Sequence, residues 1–452
     1  MRRILHISLI LILSMLLCGC RQNSNNQPDL QEVKPSATQE AKEILNFRIT
    51  WKAYSGRGEA IGRIVNNYNE QSNMPYRVAI IDGDEDRAAI EMMLNTEDSV
   101  AAEQTESKTT DIDIYMLPYR YIQYFGSKNM LMDLSDEFSS EKDIFYPNLW
   151  NLSNVNGVLY GVPWMGHSMG LIYNRNLLDK AGVNPEEITD LDTLVSACES
   201  VEKSTKAMGI GLVGAEHNDI SWMVNQFIYG FGGSLVSEDG LKVTINSEQS
   251  KEALSFYKDV LGSHAQSSWK TDTGVEVMDA FRSQKIAFEI QGLWGITDIW
   301  KNGNTFETGV IPLESIHLYP EVGPMMVALP VGLEEEKVAT AVDFIHFLIS
   351  EQAQEQITEG EYSPEKDAYY PFRLPVRKDS VEDDFFDVYP EFTKFLIGFE
   401  QPSIDVPTPL WQEVKDKYYA PGLHRVMLGQ VTIDDFLIEI EEQGNKILNS
   451  NK

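Results

Sequence analysis

The sequence predicts an α/β fold divided into two lobes. With 452 residues, the chain is longer than one hydrophobic core usually organises, so two lobes are the default expectation. A hydrophobic fraction of 42% is typical of a globular protein and not of a disordered one. Between residues 44 and 119, strand-like and helix-like segments alternate, which indicates a sheet covered by helices.

The overall charge argues against two classes of partner. The formal net charge is −32, from 37 basic and 69 acidic residues. A surface this acidic repels nucleic acid and anionic lipid surfaces, and the sequence has no basic stretch with interleaved aromatic residues. We therefore expect the protein to bind no nucleic acid.

The first 19 residues predict a lipoprotein signal peptide. Arg2 and Arg3 precede an apolar stretch at residues 4–17. This stretch has the length of a secretory h-region and is short for a membrane span. Residues 17–20, Leu-Cys-Gly-Cys, resemble a bacterial lipobox that is cut before Cys20. An ordinary signal peptide that contains cysteine is the alternative.

The predicted cleavage makes Cys20 the lipid-carrying residue of the mature chain. Residues 20–43 are polar, contain two prolines and predict a disordered tether. Cys198 is then the one remaining thiol, so an internal disulfide is not expected. Together these features predict an extracytoplasmic protein that is lipid-anchored to the cell membrane.

The first predicted strands place polar and aromatic residues at one sheet edge. These strands cover residues 44–51, 76–81 and 111–115. Ligands of open α/β sheets lie beyond the carboxyl ends of the strands, so Tyr54, Ser55 and Tyr115 are expected at one edge. The glycines that follow Tyr54 have the wrong spacing for a dinucleotide fingerprint. The acidic run at residues 82–86 lacks the central glycine and the twelfth-position glutamate of a calcium loop and predicts a solvated loop.

The stretch at residues 160–183 is the most informative part of the chain. Small, flexible residues surround His167, an apolar strand follows, and a short helix ends at Gly182. A capping box at Thr189 and Asp192 predicts the start of the next helix.

Two later loops carry tryptophan. A polar loop with His217, Asn218 and Trp222 leads into a helix. A buried strand at residues 285–290 then leads into Gln-Gly-Leu-Trp, which ends at Trp294. Both tryptophans lie on loops or at helix starts.

The order of these segments resembles the extracellular solute-binding proteins, family 1, the substrate-binding lipoproteins of sugar ABC importers, such as maltose-binding protein. The resemblance is carried by Leu-Ile-Tyr-Asn at 171–174, Gln-Gly-Leu-Trp at 291–294, a strand pair at 309–312 and 325–330, a helix at 338–358, Leu-Pro-Val-Arg at 374–377 and Thr-Pro-Leu-Trp at 408–411. It covers residues 46–450, with Leu293 where the family has proline.

The resemblance implies an α/β, two-lobe, periplasmic-binding-protein-like fold of type II, in which hinge strands join the lobes. The first lobe would hold residues 44–165 and 315–373. The second lobe would hold residues 166–314 and 374–452. Lobes joined in this way close around a ligand by hinge bending.

The resemblance also implies capture of a sugar or oligosaccharide in the interlobe cleft and its delivery to the permease subunits of an ABC transporter. Sugars present hydroxyl groups and C–H faces, so the cleft needs aromatic platforms and a few hydrogen-bonding side chains. The residues predicted to bind the ligand are Tyr54, Ser55, Tyr115, Trp164, His167, Asn218, Trp222, Trp294 and Trp411. For each tryptophan, packing in a core is the alternative.

Two other functions stay open at this point. A binding protein for a peptide, a polyamine or an iron chelate would have the same architecture, and the acidic composition suits a cationic ligand. An exported glycoside hydrolase is supported only by the many carboxylates. The sequence has no serine-nucleophile elbow and no His-Glu-x-x-His motif. We expect a monomer without enzyme activity, catalytic residues, cofactor or metal.

Overall fold

The computed structural model describes residues 42–95, 112–303, 305–364, 367–382 and 384–450. The predicted signal peptide, Cys20 and nearly all of the predicted tether lie outside these residues. Within the described ranges, no helix is long and apolar enough to cross a membrane.

The strands of the described residues are short. They are β1 (Glu43–Arg48), β2 (Tyr76–Ile81), β3 (Ile114–Pro118), β4 (Asn154–Val155), β5 (Val158–Leu159), β6 (Val162–Gly166), β7 (Gly170–Asn174), β8 (Met208–Gly211), β9 (Ile286–Gln291), β10 (Thr308–Pro312), β11 (Met325–Ala328), β12 (Glu361–Ser363), β13 (Ala368–Tyr370) and β14 (Leu374–Pro375).

Helices connect and cover these strands. The α-helices are α1 (Gly56–Gln71), α2 (Arg87–Leu94), α3 (Tyr119–Ser127), α4 (Ser135–Phe138), α5 (Pro147–Asn151), α6 (Arg175–Ala181), α7 (Leu191–Ser204), α8 (Asn218–Gly230), α9 (Glu248–Ser255), α10 (Gly274–Arg282), α11 (Trp294–Lys301), α12 (Glu335–Leu348), α13 (Glu351–Glu359), α14 (Asp384–Val388), α15 (Thr393–Leu396), α16 (Trp411–Val414), α17 (Ala420–Met427) and α18 (Ile433–Leu448). A π-helical turn at Lys415–Tyr419 joins α16 to α17.

Two separate sheets form the cores of two lobes, as the sequence predicts. The first sheet has the order β14-β6-β11-β3-β1-β2, with β1 parallel to both β2 and β3. The second sheet has the order β10-β7-β9-β8. The chain passes between the sheets from β6 to β7, from β10 to β11, and again after β14. Helices α17 and α18 pack on α8 and α9 of the second lobe.

The predicted lobe boundaries lie close to these crossings. Strand β6 ends at Gly166 and β7 begins at Gly170, next to the predicted boundary after residue 165. The third predicted boundary differs from the strand pairing. Leu374 pairs with Gly166 in the first sheet, so β14 belongs to the first lobe and not to the second.

The structure contains several of the predicted helix ends, and it differs from the prediction at two helices. Asn174 caps α6 and Gly182 ends it with a φ of +67°, a left-handed conformation that suits glycine. The capping box of α7 is formed by Asp190 and not by Thr189, because the Asp190 carboxylate reaches the backbone N–H of Thr193. The predicted single helix at 338–358 is two helices, since Ser350 caps the second of them.

Candidate functional site in the cleft between the two lobes

A cavity of about 640 Å³ lies between the two sheets. The first lobe lines it with Trp51, Arg57, Glu85, Pro118, Arg120, Tyr121 and Met325. The second lobe lines it with His217, Asn218, Asp219, Trp222, Met223, Gly274, Val275, Met278, Gln291, Trp294, Asp405, Gln412 and Asp416. The segments between the lobes add His167, Met169, Glu321 and Gly323, and Arg373 reaches the cavity from the end of the first lobe, just before β14.

The first-lobe wall is built at the carboxyl ends of the parallel strands. Trp51 follows β1, Glu85 follows β2, and Arg120 follows β3 at the start of α3. Parallel strands end at one edge of a sheet, and a ligand placed there meets residues from several strands. The edge is therefore the predicted one, although the residues that line it differ from those predicted.

Three tryptophan side chains give the cleft its apolar surfaces. Trp51 comes from the first lobe, and Trp222 and Trp294 come from the second. The Trp294 indole N–H donates to Gln291 Oε1 at 3.0 Å, which fixes the orientation of the ring. A Cβ on Gly292 would lie 2.2 Å from this ring, so the turn before Trp294 requires glycine.

His167 lies between the two second-lobe tryptophans. Its ring centroid is 5.1 Å from that of Trp294 and 6.4 Å from that of Trp222. Its Nε2 donates to Glu321 Oε2 at 2.9 Å, and its buried Nδ1 has no hydrogen-bond partner among the described residues. Burial lowers the pKa of His167, against the opposing effect of Glu321, so the ring is neutral at pH 7. A neutral ring that donates through Nε2 presents Nδ1 as an acceptor for a hydroxyl group.

The second-lobe wall begins at α8. Asn218 is the first residue of this helix, and His217 precedes it as the cap. Asp219 accepts from the backbone N–H of Gly274 at 2.9 Å and pairs with His217 at 3.0 Å. The hydrogen bond to Asp219 raises the pKa of His217. These contacts join the starts of α8 and α10 into one polar wall.

The C-terminal helices close the base of the cleft. Asp405 forms an ion pair with the buried Lys415, and burial lowers the pKa of this lysine. Gln412 donates to Asp416 at 2.7 Å, whereas its buried Oε1 has no partner within the described ranges. Asp416 also pairs with Arg87 of the first lobe at 3.2 Å. The base of the cleft is therefore polar and partly bridged between lobes.

Three arginines reach the cleft. Arg120 forms an ion pair with Glu85, and Arg57 pairs with Glu361 at 3.2 Å. Arg373 lies 5.2 Å from the Trp51 ring and 4.9 Å from the Trp294 ring, so indoles of both lobes flank it. Burial, followed by the charge of Arg57, lowers the pKa of Arg373 to about 9, which leaves the guanidinium charged at neutral pH.

The cleft contains four of the nine predicted site residues. They are His167, Asn218, Trp222 and Trp294. Their contact with a ligand stays a prediction.

The other five residues do not line the cavity. Trp164 and Trp411 are fully buried, because Trp164 packs on Phe47 in the first core and Trp411 packs on Tyr419 in the second. Tyr115 is 1% exposed within β3. Tyr54 is 78% exposed on the surface, and Ser55 accepts from the backbone N–H of Gly58 as the cap of α1.

Sequence reasoning missed Trp51 and Arg373. The predicted first strand ran to residue 51 and placed Trp51 in its interior, whereas β1 ends at Arg48. A tryptophan beyond a strand and before a glycine-rich helix start was the signal that could have identified it. Arg373 directly precedes the Leu-Pro-Val-Arg segment at 374–377, but this motif gives no signal for a cleft residue, and tertiary packing brings Arg373 to the tryptophans.

Comparison with known proteins agrees with this architecture. The profile of the family described as bacterial extracellular solute-binding protein matches residues 89–394, more than half of the chain. The chain belongs to this family. The resemblance found in the sequence is thereby confirmed.

Two curated relatives share about a quarter of their aligned residues with the solute-binding protein. A probable ABC transporter-binding protein of Deinococcus radiodurans is 23% identical over 272 residues, which cover 58% of this chain and 64% of the relative. The melibiose/raffinose/stachyose-binding protein MelE of Bacillus subtilis is 23% identical over 261 residues, which cover 53% and 60%. The matched stretch thus spans about three fifths of the length of each relative.

Solved structures show the same two-lobe fold. A solute-binding protein of Thermotoga lettingae with bound α-D-tagatose superposes with a TM-score of 0.73 at 18% identity, covering 90% of this chain and 100% of that chain. Maltose-bound MalE3 of T. maritima superposes with a TM-score of 0.73 at 21% identity, covering 90% and 99%. These similarities confirm the predicted fold class.

Proposed function

We propose that the solute-binding protein captures a sugar or oligosaccharide in the interlobe cleft. The observation that carries this proposal is the convergence of three indole rings with buried polar atoms that have no partner in the described part of the chain. The rings belong to Trp51, Trp222 and Trp294, and the atoms include His167 Nδ1 and Gln412 Oε1. Indole faces stack on the C–H faces of sugars, and the polar atoms suit hydroxyl groups.

The relatives support this ligand class. MelE is named for binding melibiose, raffinose and stachyose, and the two similar structures hold tagatose and maltose. A cavity of about 640 Å³ is within the range of small-molecule sites.

Delivery to a membrane permease completes the proposed function. Ligand contacts from both lobes stabilise the closed state over the open one, and a permease that prefers the closed shape then selects loaded protein. We propose permease subunits of an ABC importer as the partner and the lipid on Cys20 as the membrane anchor. In cells, Cys20→Ser is expected to move the protein from the membrane fraction to the medium, whereas unchanged fractionation would contradict the anchor.

Isothermal titration of the purified protein with a panel of mono- and oligosaccharides tests the proposal. At least one sugar is expected to release or take up heat, and small-angle scattering should show compaction with that sugar. The same mixtures, analysed by chromatography after long incubation, should contain intact sugar because we propose binding without turnover. Absence of both heat and compaction across the panel would contradict sugar capture, and appearance of shorter sugars would favour the hydrolase.

A further inference from the structure

We infer that the saccharide bound in the cleft carries an anionic group, a carboxylate or a phosphate, which pairs with Arg373. This inference rests on the proposed function and narrows its substrate class. The charged side chains of the cleft differ in whether they already have partners within the protein.

Every carboxylate that lines the cleft in the described part of the chain is engaged by protein groups. Each accepts a hydrogen bond or forms an ion pair with a neighbouring side chain, as described above. These carboxylates are Glu85, Asp219, Glu321, Asp405 and Asp416. A cationic ligand would have to compete with these partners, so the acidic composition of the chain does not favour one.

The arginines differ from one another. Arg57 and Arg120 each pair with a glutamate. Arg373 forms no ion pair with a described residue, although it is only 8% exposed. The charges of Glu85, Glu321 and Glu361 act on Arg373 from beyond ion-pair distance. A buried cation without a direct partner is costly, and proteins normally avoid it unless the partner arrives with a ligand.

The hydrogen bonds of Arg373 leave one edge of its guanidinium without partners. Nη1 donates to the backbone carbonyl of Phe372 at 2.9 Å. Nε is buried without a hydrogen-bond partner among the described residues, and Nη2 likewise donates to none of them. Nε and Nη2 lie side by side, and two parallel N–H groups match the two oxygens of a carboxylate or phosphate.

The flanking indoles explain how the charge is tolerated in the cleft. Trp51 and Trp294 lie about 5 Å from Arg373, at distances that give cation–π attraction. Because Trp51 belongs to the first lobe and Trp294 to the second, an anion that pairs with Arg373 would sit where both lobes can contact the attached sugar ring.

Titration calorimetry with matched sugars tests the inference. Each set contains one sugar in neutral, uronic acid and phosphate forms: galactose with galacturonate and galactose 6-phosphate, glucose with glucuronate and glucose 6-phosphate, and the corresponding disaccharides of the first two forms. In at least one set, an acidic form is expected to bind about 10- to 100-fold more tightly than the neutral form. The carboxylate and phosphate arms show which anion the cleft prefers.

Substitution of Arg373 provides the second readout. Arg373→Gln is expected to reduce the ratio of acidic to neutral affinity to near one, and Arg373→Lys, which keeps the charge but loses the two-donor edge, should give an intermediate ratio. Arg425→Gln is the matched control, because Arg425 pairs with Glu439, neither residue lines the cavity, and its loss should leave the ratio unchanged.

The outcomes separate the inference from the proposed function. Neutral sugars that bind as tightly as their acidic forms overturn the inference and leave sugar capture intact. A preference for acidic sugars that survives Arg373→Gln also overturns it, because the anion would then sit elsewhere. If the variants do not fold, the comparison of neutral and acidic sugars on the unaltered protein still shows whether the cleft prefers an anionic sugar. Absence of binding by every sugar overturns the proposed function itself.

Discussion

At the scale of single residues, burial distinguishes Trp411 from Trp294, although the sequence predicts that both bind the ligand. Trp411 is fully buried, and its ring centroid lies 5.6 Å from that of Tyr419, whereas Trp294 lines the cleft. Trp411→Ala should lower the free energy of unfolding by about 3–5 kcal/mol, as expected for a large cavity in a core. Trp294→Ala should lower sugar affinity about 10-fold while costing less than about 2 kcal/mol of stability. Urea unfolding and titration calorimetry on both variants measure the two effects, and equal stability losses would contradict the distinction.

The burial of His167 gives a residue-scale prediction for the pH dependence of stability. Burial lowers the pKa of His167 below its ordinary value of about 6.5. Between the two pKa values, the unfolded chain binds more protons than the folded one. Stability from this group is therefore complete above about pH 6.5 and is lost as the pH falls through the folded pKa, by at most about 1.4 kcal/mol per pH unit.

The measurement is urea unfolding at several values between pH 7 and pH 5. His167→Gln should flatten the decline of the unfolding free energy over this range. His217→Gln is the matched control of opposite sign, because the pKa of His217 is raised by Asp219 and its contribution is lost as the pH rises. A decline that is unchanged in His167→Gln would show that other groups cause it.

At the scale of elements, the turn from β9 into α11 sets the position of the Trp294 ring. A Cβ on Gly292 would lie 2.2 Å from this ring, so Gly292→Ala must displace it. We expect a loss of sugar affinity similar to that of Trp294→Ala. Gly62→Ala within α1 is the control, since the nearest atom lies 3.9 Å away and alanine favours a helix by up to about 1 kcal/mol. Titration calorimetry measures the sugar affinity of both variants. An unchanged sugar affinity in Gly292→Ala would show that the turn can adapt to the added methyl group.

The individual elements differ in how well the sequence predicts them. The path from β7 through α6 to Gly182 was predictable, because an apolar strand, a capping asparagine and a left-handed glycine are local signals. The prediction that Trp164 binds the ligand was wrong, because the position of its ring depends on contacts that are distant in sequence. Trp164 lies in β6, close in sequence to the cleft residue His167, but its ring packs on Phe47 with the ring centroids 5.8 Å apart. Phe47 lies in β1, which β11 and β3 separate from β6 in the sheet, so no local pattern predicts this contact. Local sequence determines whether a segment forms a helix or a strand, whereas the surface on which a side chain packs depends on residues that are distant in sequence.

At the scale of the whole molecule, two ion pairs between described residues join the lobes beside the cleft. Lys301 of the second lobe pairs with Glu361 of the first at 2.5 Å, and Arg87 of the first pairs with Asp416 of the second at 3.2 Å. Neither connects groups within one core, so both are made only when the lobes approach. Partly exposed pairs contribute about 0–1 kcal/mol each, which is enough to shift a balance between open and closed states but not to fix it.

Removal of these two pairs should therefore favour the open state. The double variant Lys301→Ala, Arg87→Ala is expected to raise the radius of gyration of the sugar-free protein in small-angle scattering and to lower affinity by up to about 30-fold, because the sugar must then supply the closing free energy. Arg425→Ala, which breaks the Arg425–Glu439 pair inside the second lobe, is the matched control and should change neither quantity. High salt should reproduce part of the effect in the unaltered protein, since it screens exposed charges. An unchanged radius together with unchanged affinity would mean that packing alone holds the lobes together.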